Sequence, residues 1–135
     1  LASSAASDVY KRQIQPNTKF STYKTKFTGN STYEMKLYSP TGSLLSLNTI
    51  IYTGSVTKIF VDGVEVSSYI NIVKGDINGD GYAKMNDVMS LCKYIIESKG
   101  VNSYYLLAAD VNVDSYIKMN DVMAICKYII EGGML

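Results

Sequence analysis

The chain contains no histidine and no tryptophan. Without histidine, the commonest general base near neutral pH is missing, and so is the usual ligand of catalytic zinc. No nucleophile–base pair is visible either, so the sequence speaks against an enzyme. Excess charge of either sign is absent, because 13 basic residues face 12 acidic ones. That balance argues against nucleic acid as the main partner. No apolar run reaches the length of a membrane span. Cysteine is limited to Cys92 and Cys126, whose spacing matches no zinc motif. They read as two free thiols; a disulfide stays open, since sequence alone cannot place two sulfurs close together.

The first thirteen residues, LASSAASDVYKRQ, lack the apolar stretch of a signal peptide. The string SSAASDVYKRQ resembles an in-frame translation of a transposase-type sequencing adaptor. On that reading residues 1–13 are an artefact, and a secretion signal or upstream domain is lost with the cut 5′ end of the gene. The alternative is a natural disordered leader.

The remaining chain falls into two parts. Its 135 residues are 47% hydrophobic, enough to form one ordinary domain or two very small ones. Residues 14–73 are rich in Thr, Ser, Tyr, Val and Ile. Tyr33 to Tyr38, Val56 to Val61 and Val64 to Val73 read as strands. Asp62-Gly63 between the last two is a strong hairpin signal. Ser21 to Phe27 reads as a short helix capped by Ser21. The fold class is α+β overall: a small β-rich module followed by an all-α segment, residues 74–135.

That second segment is built from a repeat. GDINGDGYAKMNDVMSLCKYIIE, Gly75 to Glu97, returns as ADVNVDSYIKMNDVMAICKYIIE, Ala109 to Glu131. Six of its eight acidic residues sit in the two loops that open the copies. Crowded carboxylates repel one another unless a cation neutralises them.

With Asp76 as position 1, the first loop presents Asn78 at 3, Asp80 at 5, Gly81 at 6, Tyr82 at 7 and Asp87 at 12. This is the oxygen pattern of an EF-hand: side chains at 1, 3 and 5, a backbone carbonyl at 7 and a closing carboxylate at 12. The second loop reads Asp110, Asn112, Asp114, Tyr116 and Asp121. Two Ca²⁺ ions are the expected cofactors. Mg²⁺ dehydrates reluctantly and rarely takes an all-protein cage. Position 12 is Asp in both loops, where a standard EF-hand has Glu. Position 6 of the second loop is Ser115, so its left-handed turn is strained and the second site is expected to be the weaker.

Each loop leads into a helical pattern with two apolar stripes. Val88, Leu91 and Ile95, and Val122, Ile125 and Ile129, mark a core face. Met85, Met89, Cys92 and Ile96, and Met119, Met123, Cys126 and Ile130, mark a second one. A segment of this size has little interior in which to hide both. The second stripe either packs on Val101 to Ala109 or on the β-rich module, or it is an exposed recognition surface, duplicated with the repeat.

On these loops and on the two MND-V-M-x-x-C-K-Y-I-I-E stretches, residues 74–135 resemble a dockerin, the calcium-binding module that docks secreted enzymes and surface proteins onto cohesins, as in bacterial cellulosomes that degrade polysaccharide. The resemblance implies metal ligation by Asp76, Asn78, Asp80, Tyr82 and Asp87, and by Asp110, Asn112, Asp114, Tyr116 and Asp121. It implies partner recognition by Met85, Asn86, Cys92, Lys93, Ile96 and Glu97, and by Met119, Asn120, Cys126, Lys127, Ile130 and Glu131. Met-Asn departs from the Ser or Thr that well-known type I dockerins often carry at the first pair. Residues 14–73 more loosely resemble small β-rich modules that precede dockerins in surface proteins of Firmicutes. The implied protein is bacterial, extracellular or on the cell surface, not itself an enzyme, and a monomer apart from a cohesin-type partner. The rival readings are a calcium-stapled structural module whose helices pack on residues 14–73, a calcium sensor, and a catalytic fragment.

Overall fold

A computed structural model describes residues 11–26, 33–99 and 103–135. Among these, four strands form one sheet and four helices accompany it. The chain is thus mixed, and the β-rich part carries a helix of its own.

The strands are β1 (Lys11–Ile14), β2 (Tyr33–Tyr38), β3 (Val56–Val61) and β4 (Val64–Val73), in the order β1-β4-β3-β2. β2, β3 and β4 stand where the sequence reads as strands, and they pair antiparallel. Asp62 and Gly63 both take positive φ, 53° and 80°. That is the geometry a tight hairpin turn requires.

β1 pairs parallel with β4, with Ile14 opposite Val73. Residues 11–13, expected in a leader, therefore lie in the sheet, and the expected boundary at residue 14 falls inside a strand. Nothing local announces β1. Its pairing comes from the edge that β4 offers.

Helix α1 (Phe20–Thr25) begins one residue before the expected Ser21, and Ser21 does not cap it. Lys19 is extended and bridges to Ile50. The first N–H groups, of Phe20 and Ser21, go to the carbonyls of Thr49 and Leu47 instead of to a side chain. Phe27 lies outside the described residues. Phe20 and Tyr23, one helical turn apart, join Ile14, Met35, Leu37, Ile51 and Val73 in the first core.

The second core belongs to the repeat. Helices α2 (Met85–Glu97) and α4 (Met119–Glu131) pack together through Val88, Leu91, Val122 and Ile125. Between them lies a third helix, α3 (Ser103–Ala109). Its small terminal residues Ala108 and Ala109 are fully buried. They let the Gly75 N–H reach the Ala108 carbonyl at 2.8 Å.

Leu37 has no exposed surface at the centre of the first core. Leu37→Ala should destabilise the chain by about 2–4 kcal/mol in denaturant unfolding. A loss below ~1 kcal/mol would mean that this core is not packed as described.

Candidate metal loops and helix surface

The first loop, between β4 and α2, curls its backbone around its own acids. Asp76 Oδ1 accepts the N–H groups of Gly79 and Asp80 at 2.8 and 2.9 Å. Its Oδ2 accepts Gly81 N–H at 2.9 Å. Asp80 accepts from Tyr82 N–H at 2.9 Å. Asp87, in the first turn of α2, reaches back to Ile77 and Asn78 N–H with Oδ1 and to Lys84 N–H with Oδ2. These bonds place oxygens of Asp76, Asp80 and Asp87 within 4.8 Å of one another. Asn78 turns its Oδ1 to the Asp80 N–H at 3.2 Å, inside the same loop. Tyr82 lays its ring under the Lys84 ammonium, 4.5 Å away.

The second loop repeats the arrangement more openly. Oxygens of Asp110, Asp114 and Asp121 gather within the same 4.8 Å. Asp110 accepts from Asp114 and Ser115 N–H, at 3.2 and 2.8 Å. Asn112 faces the Asp114 N–H, and Tyr116 N–H donates to Asp114. Lys118 sits over the Tyr116 ring at 4.6 Å, as Lys84 does in the first copy. Asp121 is fully buried, and its Oδ1 has no hydrogen-bond partner among the described residues.

Glycine and its replacements separate the loops. Gly79 and Gly81 take φ of 82° and 85°. The second loop has Val113 and Ser115 at the matching places, with φ of 57° and 70°. Ser115 thus takes the left-handed turn that its position requires. Val113 was not anticipated, and it is the more strained, since a β-branched side chain crowds the backbone there.

Burial raises the pKa of three loop carboxylates. For Asp76, desolvation outweighs the hydrogen bonds from Thr53, Gly81 and Asp80. For Asp87 it carries the pKa up to about 6 against bonds from Lys84, Ile77 and Asn78. Asp121 is raised by desolvation too, against the backbone N–H groups of Lys118 and Asn112. Asp114, in contrast, is lowered, first by the Tyr116 N–H. Among the described residues the ion pair is Lys58–Glu65 at 3.2 Å, far from either loop in the sequence. No Lys or Arg whose side chain is described therefore meets a loop carboxylate at ion-pair distance.

Calcium fits this donor set. Every converging ligand is oxygen, as a hard cation prefers, and one buried carboxylate oxygen lacks any partner. The residues named from the sequence at positions 1, 5 and 12 are brought together in both copies. Those at 3 and 7 share the loops.

The second stripe lies on the surface. Met85, Met89, Met119 and Met123 are exposed, and Ile96 and Ile130 are 82% and 81% exposed. Neither α3 nor any described residue of the β-rich module covers them. Asn86, Lys93 and Glu97 surround the stripe in one copy and Asn120, Lys127 and Glu131 in the other, all exposed. Cys92 and Cys126 differ from their neighbours. They are unpaired and half-buried, and they rest against the second core.

Residues 74–130 match the family model described as the dockerin type I domain. No curated protein and no solved structure gives a significant match. The family match supports a dockerin module in this stretch, a family whose domains bind calcium and dock onto cohesins. The β-rich part lies outside the match.

Two outcomes follow from the loop geometry. In calcium-free buffer, folded Asp87 keeps its proton up to about pH 6, where an unfolded aspartate has released it above ~4. The folded state then binds more protons in that window, so stability should rise as pH falls from 7 toward 4.5. Calcium requires the ionised form, so its affinity should fall over the same range. A lower melting temperature at pH 5 than at pH 7 in calcium-free buffer would contradict this. The second outcome concerns strain. Ser115→Gly should relieve the positive φ by about 1 kcal/mol and tighten the second site in calorimetry. Unchanged affinity would show that the turn costs nothing there.

Proposed function

We propose that this chain is a calcium-dependent docking protein: two Ca²⁺ ions order the loops of residues 74–130, and α2 and α4 then present a surface for a cohesin-type partner. The observation that carries the reading is the exposed stripe. Two helices of identical pattern leave Met, Met and Ile uncovered, ringed by Asn, Lys and Glu. An apolar centre with a polar rim is the anatomy of a protein interface. The ligand sets are the ten loop residues, Asp76, Asn78, Asp80, Tyr82 and Asp87 with Asp110, Asn112, Asp114, Tyr116 and Asp121. The role is non-catalytic, and the setting is the outside of a bacterial cell, in a cellulosome-like assembly.

The rival reading, helices that simply pack on the β-rich module, has one observation in its favour. The module does touch the repeat. It does so at the first loop and the chain end, through Asn17–Gly81 and Gln15–Leu135 hydrogen bonds, and leaves the stripe bare. Docking and internal support are therefore compatible.

Calcium removal should lower the helical signal in circular dichroism and the melting temperature, and added Ca²⁺ should restore both. Identical spectra and melting in EDTA would defeat the metal part of the reading. For the surface, Met85→Asp with Ile96→Asp, and separately Met119→Asp with Ile130→Asp, place charges in each apolar centre. Because the copies carry the same side chains, each double variant should keep most of its cohesin affinity, and the quadruple variant should lose it. A quadruple variant that still binds would put the recognition surface elsewhere.

A further inference from the structure

The two loops differ in what lies behind them. Three of the N–H groups on Asp76 come from its own loop. The fourth comes from the β-rich module: Thr53 N–H donates to Asp76 Oδ2 at 2.9 Å. Thr53 belongs to a turn closed by Ser55 N–H on the Tyr52 carbonyl at 3.1 Å, and Gly54 has φ of 98°. A positive φ at the third residue marks a type II turn, with Thr53 second.

The turn is locked to β4. Thr53 Oγ1 accepts Val73 N–H at 3.0 Å. Gly54 N–H donates to the Asn71 carbonyl at 2.9 Å, and Asn71 Nδ2 donates to Ser55 Oγ at 3.0 Å. Thr53, Ser55 and Asn71 are all buried. The Thr53 N–H is therefore held in a fixed direction. A second contact closes on the same loop. Asn17 N–H donates to the Gly81 carbonyl at 2.8 Å, and a Cβ on Gly81 would stand 2.7 Å from the Ile51 carbonyl oxygen. Asp110, in the second loop, accepts from Asp114 and Ser115 of its own loop.

We propose that the β-rich module is a structural part of the first calcium site, with the Thr53 N–H a positioning group for Asp76. Calcium in the first loop and the folded module then stabilise one another, while the second loop binds independently of the module. The inference rests on the calcium reading above. A carboxylate already held in one orientation loses less freedom when the ion arrives. Whatever the module contributes to affinity at that loop, calcium returns to the module, because coupling between two equilibria is reciprocal.

The test uses the full chain in two backgrounds. Asp110→Ala with Asp114→Ala silences the second loop; Asn78→Ala with Asp80→Ala silences the first and leaves Asp76 in place. Thr53→Pro removes the N–H at a turn position that favours proline. Thr53→Ala is its control, since both lose Oγ1 and only proline loses the N–H. Calorimetry with CaCl₂ should show the first site about tenfold or more weaker with proline than with alanine, as expected for a lost hydrogen bond to a charged group. The second site should be equal in the two. Amide exchange on the chain without a change at residue 53 decides the matter if proline unfolds the module. Calcium should slow exchange at Asn17, Thr53 and the β4 amides when only the first loop is intact, and not when only the second is. Calcium binding at the first loop with unaltered exchange at those amides overturns the proposal alone. No calcium binding in either background overturns the metal reading and this proposal with it.

Discussion

Crowded negative charge is the constraint on which the repeat depends. Three carboxylates in each loop lie within 4.8 Å of one another, and Asp76, Asp87 and Asp121 are buried. Charges so placed are unfavourable unless they are protonated, hydrogen-bonded or matched by a cation. Backbone N–H groups do part of this work at Asp76 and Asp87. They do less at Asp121, whose Oδ1 is left without a partner. The closing aspartates also sit in the first turns of α2 and α4, so the same atoms that would hold an ion tie each loop to its helix. Loop order and helix presentation are thus one problem, and an ion at the loop would act on the surface of the helix.

The copies are equal where they face outward and unequal where they face inward. Thirteen-residue helices of nearly the same sequence expose the same Met and Ile positions. Behind them, one loop rests on Ile50, Ile51 and Thr53 and uses two glycines for its left-handed turns. The other loop is exposed and asks Val113 and Ser115 to adopt those turns. Such an arrangement permits a symmetric recognition surface on an asymmetric foundation.

Much of this was legible in the sequence, for physical reasons that can be named. Runs rich in β-branched and aromatic residues and the Asp62-Gly63 turn located β2, β3 and β4, because strand propensity and turn chemistry are local. The DxNxD spacing located the carboxylate clusters, because a loop of fixed length brings its own ends together. The double stripe on α2 and α4 was legible as well, but whether the second stripe is covered was settled only by the fold. What stayed hidden is tertiary. β1 exists because β4 has a free edge, and α1 begins at Phe20 because Thr49 and Leu47 supply its first acceptors. α3 carries no capping or amphipathic signal strong enough to separate it from a connection. The turn at Thr53 reads as an ordinary polar segment, and nothing in its own residues says that one N–H will meet Asp76. Val113 could have been suspected by laying the copies side by side, since it stands where the first loop has Gly79.

Loop order and helix presentation both depend on the ion. The most direct measurement is the amount of calcium held by the purified full chain at equilibrium, by dialysis against calcium at neutral pH followed by elemental analysis. Two calcium ions per chain, falling to one when Asp80 or Asp114 is replaced by Ala, is the result expected from the proposed function. A chain that retains no calcium at millimolar free concentration while remaining helical would contradict it.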